Sequence, residues 1–148
     1  RCTEALTEKN GKRNTTFSLQ AFCSVAHFPA GKVAVGASGD GQVHIFDASS
    51  KALVESKIIY RTSSLSCICD WDSTMKIKGG IIAASDQGYI TGINENFEKA
   101  FFLQFKGEAI HAITVFNSRL AVGTRAGKIY EVNHFCSSKH GAAAAAAA

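Results

Sequence analysis

No apolar run in this sequence approaches the roughly 18 to 20 residues that a membrane-crossing helix requires, and no charged-then-apolar leader opens it. A helical membrane anchor is therefore not expected in these 148 residues. Blocks of like charge are missing too. Sixteen lysines and arginines against twelve acids give a formal net charge of +4, scattered along the chain, which permits an acidic partner without requiring one. The five cysteines are an odd number without regular spacing, so no disulfide framework is expected and a reducing compartment is the simpler reading.

What is present suffices for a core of ordinary size, with 46% apolar residues. The chain begins at Arg1 without methionine and ends in Ala142 to Ala148, which reads as a fragment of something longer. The alanines have high helix propensity but no amphipathic face, so they read as a placeholder for unidentified residues, with an alanine helix as the alternative. Asn14-Thr15-Thr16 matches a glycosylation sequon, a triplet common by chance.

Three segments align as an internal repeat: "CSVAHFPAGKVAVGASGDGQVHIFD", "CICDWDSTMKIKGGIIAASDQGYITGIN" and "AITVFNSRLAVGTRAGKIYEVN". Each has a strand ending in an aromatic (Phe28, Trp71, Phe116), a turn, a strand of small and branched residues, a glycine turn (Gly41, Gly88, Gly127) and an alternating strand. Short runs rich in Val, Ile and Phe between closely spaced glycine turns favour strand over helix. "ALVESKIIY" and "AFFLQF" supply fourth strands. Two residues past each glycine stand Val43, Ile90 and Ile129, five past it Phe46, Ile93 and Val132, and six past it Asp47, Asn94 and Asn133. Period-two alternation sends the first two sets to opposite faces, as sheets stacked between neighbours require.

The pattern predicts an all-β fold of about three four-stranded antiparallel blades from a larger β-propeller. Residues 1–20 read as a loop or the end of a preceding blade, 21–61, 62–106 and 107–141 as blades with the last partly complete, and 142–148 as the placeholder. Three blades cannot close a ring, so further blades are expected from the rest of the protein or another chain.

The chemistry-bearing motifs yield to bland readings. Gly123 to Gly127 has one residue too few before Gly-Lys for a phosphate loop, and Ile129 follows where Ser or Thr belongs. Because Gly41 and Gly88 fall at the same place, Gly127 reads as a hairpin residue that tolerates positive φ. Gly36, Gly39 and Gly41 give a dinucleotide fingerprint reversed, without a βαβ pattern. Cys67 and Cys69 share a strand face but read as small core residues, and His27 and His111 read as strand residues rather than ligands. No acid pair has general acid-base spacing and no Arg-rich run interleaves with aromatics. No catalytic residue, cofactor, metal site or nucleic-acid partner is assigned.

These residues resemble the WD40 propeller superfamily over roughly 22–133, making the fold a WD40-like β-propeller. The repeat departs from the family pattern: Phe46-Asp47, Ile93-Asn94 and Val132-Asn133 replace Trp-Asp, and no Gly-His pair opens a blade. Asp70-Trp71-Asp72 holds the dipeptide in the wrong register, on a first strand. Among such blades, "GEAIHAITVFNSRLAVGTRAGKIYEVN" and "KVAVGASGDGQVHIFDASSKALV" are similar to those of the echinoderm microtubule-associated-protein-like family. The resemblance implies a noncatalytic scaffold in the cytoplasm and cytoskeleton, including the ciliary axoneme, with tubulin or microtubule-associated proteins as partners. A propeller adaptor in ciliary transport, a vesicle coat or a ubiquitin ligase is the alternative. Turns after first and third strands place Lys32, Lys51, Lys76, Lys78, Lys99 and Arg119 on one rim, against Asp47, Asp72, Glu95 and Glu98. Lys76, Lys78, Lys99 and Arg119 are the partner-binding candidates.

Overall fold

A computed structural model describes residues 8–9, 12–13, 22–39, 41–71, 79–135 and 146–147. It is all-β, with no helix among those residues. A two-stranded ribbon, β1 (Glu8–Lys9) and β2 (Lys12–Arg13), precedes three four-stranded antiparallel sheets. The first sheet runs β3 (Phe22–Phe28), β4 (Lys32–Ala37), β5 (Gln42–Asp47) and β6 (Leu53–Ile58). The second runs β7 (Leu65–Trp71), β8 (Gly80–Ser85), β9 (Tyr89–Asn94) and β10 (Lys99–Gln104). The third runs β11 (Ile110–Phe116), β12 (Arg119–Thr124), β13 (Ile129–Asn133) and β14 (Ala146–Ala147). Ala146–Ala147 is thus strand, opposite Tyr130 and Glu131, and not helix.

Every sheet is a meander with neighbours in chain order. First strands adjoin one another, β3 beside β7 and β7 beside β11, so the sheets succeed each other as propeller blades around the first strands and form an arc that does not close. Register is common to all three sheets. The first-to-second strand ladder slips at the same place each time, after Phe22, Leu65 and Ile110, leaving Cys23, Ser66 and His111 as the extra residues. Such bulges increase local twist where first strands converge.

Two apolar layers fill the gaps between sheets. Ala26, Phe28, Val43 and Ile45 of the first sheet meet Ile68, Ile81, Ala83 and Ile93 of the second. Ile82, Ile90, Phe101 and Leu103 on its other face meet Ile110, Leu120, Val122 and Val132 of the third. Ile90 and Ile93 therefore face opposite neighbours, as the alternation predicts. Polar clips cross the first gap: Tyr60 donates its hydroxyl to the Ala83 carbonyl at 2.8 Å, and Ser24 donates to the Ile68 carbonyl at 3.0 Å. Burial pushes the Tyr60 hydroxyl well above the usual phenol range, which keeps it protonated as a donor.

Gly41 and Gly88 take positive φ of 64° and 84° in the turns before the third strands. A Cβ there would overlap the carbonyl oxygens of Tyr60 and Phe105, which leave the fourth strands. A backbone hydrogen bond closes the turn, the Phe105 N–H donating to the Gly88 carbonyl at 2.8 Å in the second sheet. Glycine is demanded twice, by φ and by contact.

Candidate protein-binding rim

In a meander the strand connections alternate between two rims. The candidate rim collects the turns after first and third strands, and short polar side chains fix its third-strand turns. Asp47 Oδ1 accepts from the Ser49 and Ser50 amides at 3.0 and 2.7 Å, and Asn94 Oδ1 accepts from Asn96 and Glu98 amides at 2.9 and 3.0 Å. The residue after Phe46 and Ile93 is therefore a turn-holding Asx residue. The Ser50 amide and hydroxyl together hold the Asp47 carboxyl below its usual range, with smaller help from the Ser49 amide and Lys32.

The four candidates divide. Lys76 and Lys78 lie outside the described residues. Lys99, at the start of β10, sets its ammonium 4.4 Å from the Phe102 ring centroid, a cation–π contact. Arg119, at the start of β12, is paired with Glu131 at 2.7 Å, both side chains being partly exposed. Lys99 and Arg119 share a rim but sit on different sheets. The described part of this rim carries four cations, Lys32, Lys51, Lys99 and Arg119, against Asp47, Glu95 and Glu98. Asp72, Lys76 and Lys78, expected on this rim from the sequence, lie outside the described residues.

The opposite rim carries Arg61, Lys106, Arg125 and Lys128 against Asp86 and Glu108, with Asp40 outside the described residues. Sequence reasoning left out Lys128. The structure pairs it with Glu108, whose carboxylate also accepts from the Tyr130 hydroxyl at 3.0 Å. Lys128 first, then Tyr130, lowers the Glu108 carboxyl below its usual range. Lys128 and Tyr130 stand one and three residues past Gly127, a spacing on one strand that gives no sign of Glu108 opposite.

Elsewhere, Cys67 and Cys69 pack against the second apolar layer, and burial pushes the Cys69 thiol up to about 12. Cys23, packed on the first layer, is pushed up to about 11, mainly by burial. These thiols sit far from the thiolate form that nucleophilic or metal chemistry uses. His27 and His111 are exposed, one on β3 and one at the β11 bulge. Among the described residues no three His, Cys, Asp or Glu side chains gather as a cation site requires. An apolar cavity of about 10 Å³ lies between the first and second sheets beside Lys57, Val43 and Phe97. Its volume matches about one water, and its lining is apolar apart from Lys57, whose ammonium is already bonded to the Phe97 carbonyl.

No protein-family model matches the chain, and no curated protein matches it. Its fold is similar to solved structures of computationally designed proteins. The designed Ika4 protein superposes with a TM-score of 0.66 at 16% identity, over 90% of this chain and 74% of that one. The designed Ika8 protein superposes with a TM-score of 0.64 at 16% identity, over 80% of this chain and 35% of that one. The chain spans about a third of the Ika8 length it matches. At this identity the likeness concerns fold alone.

Proposed function

We propose that this chain is a noncatalytic WD40-type propeller scaffold that binds protein partners through a rim, with tubulin or microtubule-associated proteins as the partners. The observation that carries the scaffold reading is the arrangement of three four-stranded meanders in one register, whose turns gather on two rims. Thiols are raised by burial, Asp47 holds a turn, and Glu108 is tied to Lys128 and Tyr130. Lys51, Lys99 and Arg119 are exposed on the first rim, the last two with partners within the chain, and their charge would steer association with an acidic surface in a salt-dependent way. The choice of microtubules rests on the resemblance of the repeats.

Cosedimentation with microtubules across salt concentrations tests the reading. Reversing Lys76 and Lys78 to glutamate, with Lys99→Glu added, should weaken a salt-sensitive interaction by about tenfold, the change that about 1.4 kcal/mol gives. Unchanged cosedimentation would reject this rim. The four cations of the opposite rim favour a second reading, in which Arg61→Glu with Arg125→Glu has the larger effect. Indifference to both pairs would leave the adaptor role in another assembly.

A further inference from the structure

The rim that gathers the second-to-third turns and the connections between sheets holds its loops together on backbone bonds. The Asp86 amide donates to the Ser64 carbonyl at 3.2 Å, the Phe105 amide to the Gly88 carbonyl at 2.8 Å, and the Arg125 amide to the Ala109 carbonyl at 2.8 Å. The connection from β6 to β7 is thereby tied to the turn before β9, that turn to the connection from β10 to β11, and that connection to the turn before β13. These loops form one continuous track along the arc. A track fixed by its own backbone positions what it displays before any partner arrives.

What it displays is positive charge. Arg61 and Lys106 each follow the residue whose amide bonds back to the turn glycine, Tyr60 and Phe105, so they hold one register in successive connections. Both are exposed, as is Arg125. Among the described residues, no hydrogen bond, ion pair or ring contact engages any of these three side chains. The acids of the same rim are occupied: Asp86 Oδ1 accepts from the Ser64 amide at 3.2 Å, and Glu108 is held by Lys128 and Tyr130. Asp86 and Arg125 stand at matching places, two before Gly88 and Gly127, yet the carboxylate folds back on its loop and the guanidinium does not. Ser63, whose carbonyl approaches Gly41 as that of Glu108 approaches Gly88, brings no charge to the first connection. On the candidate rim, by contrast, Lys99 and Arg119 already have partners.

We propose that this track binds an extended acidic segment of a partner protein, with carboxylates seated on Arg61, Lys106 and Arg125. A guanidinium fork takes a carboxylate through two parallel N–H donors, and cations on successive loops suit a chain laid along them rather than one compact anion. Nucleic acid would need free ring faces on which its bases stack. The tyrosines beside the track are taken: Tyr89 stacks on Tyr60 and Phe102, and Tyr130 lies against Phe105 with its hydroxyl on Glu108. The inference rests on the scaffold part of the function proposed above and not on microtubules, and it places the segment on the rim opposite the candidate one.

Fluorescence anisotropy with a labelled peptide of about ten glutamates, at about 50 mM and about 500 mM salt, tests it. The unaltered protein should bind the peptide at the lower salt and release it at the higher. Arg61→Glu, Lys106→Glu and Arg125→Glu together should weaken binding by about tenfold, as the loss of several exposed contacts allows. Their side chains have no partners within the chain, so the variant should fold, and an unchanged urea midpoint verifies that it does. Lys76→Glu, Lys78→Glu and Lys99→Glu together make the same change in net charge on the other rim and should weaken binding by less than about threefold, which separates the track from overall charge. Failure of the unaltered protein to bind the peptide would overturn the proposal. So would equal losses in the two triple variants, or tighter binding of a deoxythymidylate oligomer of equal charge. Peptide binding as expected without microtubule cosedimentation would overturn the tubulin reading and leave the track standing.

Discussion

The second and third sheets are built in one register, yet β8 is buried at all six positions and β12 alternates from exposed to buried along its length. "GIIAAS" has a sheet on each side, and its small and branched residues form a continuous apolar run. "RLAVGT" has the second sheet on one side only, where Leu120 and Val122 are fully buried. Its other side carries Arg119, paired to Glu131 at the position where the first sheet has Ile45 and the second has Gly92. That Gly92 position is not empty: the Phe101 ring occupies the place of a Cβ. Equivalent backbone positions thus acquire different chemistry from what lies across the gap.

Matched substitutions should break this comparison most sharply at the residue two past the turn glycine. Ile90→Ala should lose about 2–5 kcal/mol of stability to urea, through lost burial and the cavity left behind. Ile129→Ala, at an exposed position, should change it by less than about 0.5 kcal/mol. Near-equal losses would mean that something covers the third sheet.

The turn glycines give the next contrast. Gly127 has φ 79° and nothing near its would-be Cβ, so Gly127→Ala should cost about 1–2 kcal/mol for the left-handed conformation alone. Gly88→Ala adds an overlap with the Phe105 carbonyl and should cost about 1–3 kcal/mol more by the strain of overpacking. Thermal unfolding would reveal the difference. Smaller again, Asn94→Ala removes the acceptor that holds two turn amides and should cost about 0.5–2 kcal/mol in the same assay, with the fold retained.

The smallest effect is a titration. Because the Glu108 carboxyl is held below its unfolded value by Lys128 and Tyr130, its contribution is present above the ordinary carboxylate range and is lost as pH falls through the lowered value. Carbon-13 NMR should place its midpoint below that of a free glutamate, and Lys128→Met should move it upward. A midpoint indifferent to that substitution would assign the lowering to Tyr130.

Much of the fold was legible. Strand class, the three-copy register and the turn role of Gly41, Gly88 and Gly127 follow from short alternating runs and regularly placed glycines, and all reappear in the ladders and φ angles. The site was less legible, because a rim is a set of turns from different sheets. Charge counting along the chain grouped Lys99 and Arg119 correctly by rim, but could not see that a ring and a carboxylate already engage them. Lys128 was passed over because its partner Glu108 is 20 residues away on the chain.

The sequence by itself determined that these residues make strands, where they turn, and which side chains share a face, because period-two alternation and positive φ are local properties of the chain. Only the tertiary structure decided which faces are covered, since coverage depends on the sheet across the gap. Phe28, Trp71 and Phe116 are equal as sequence and unequal as molecule: two have a neighbour, and one has its ring in the open.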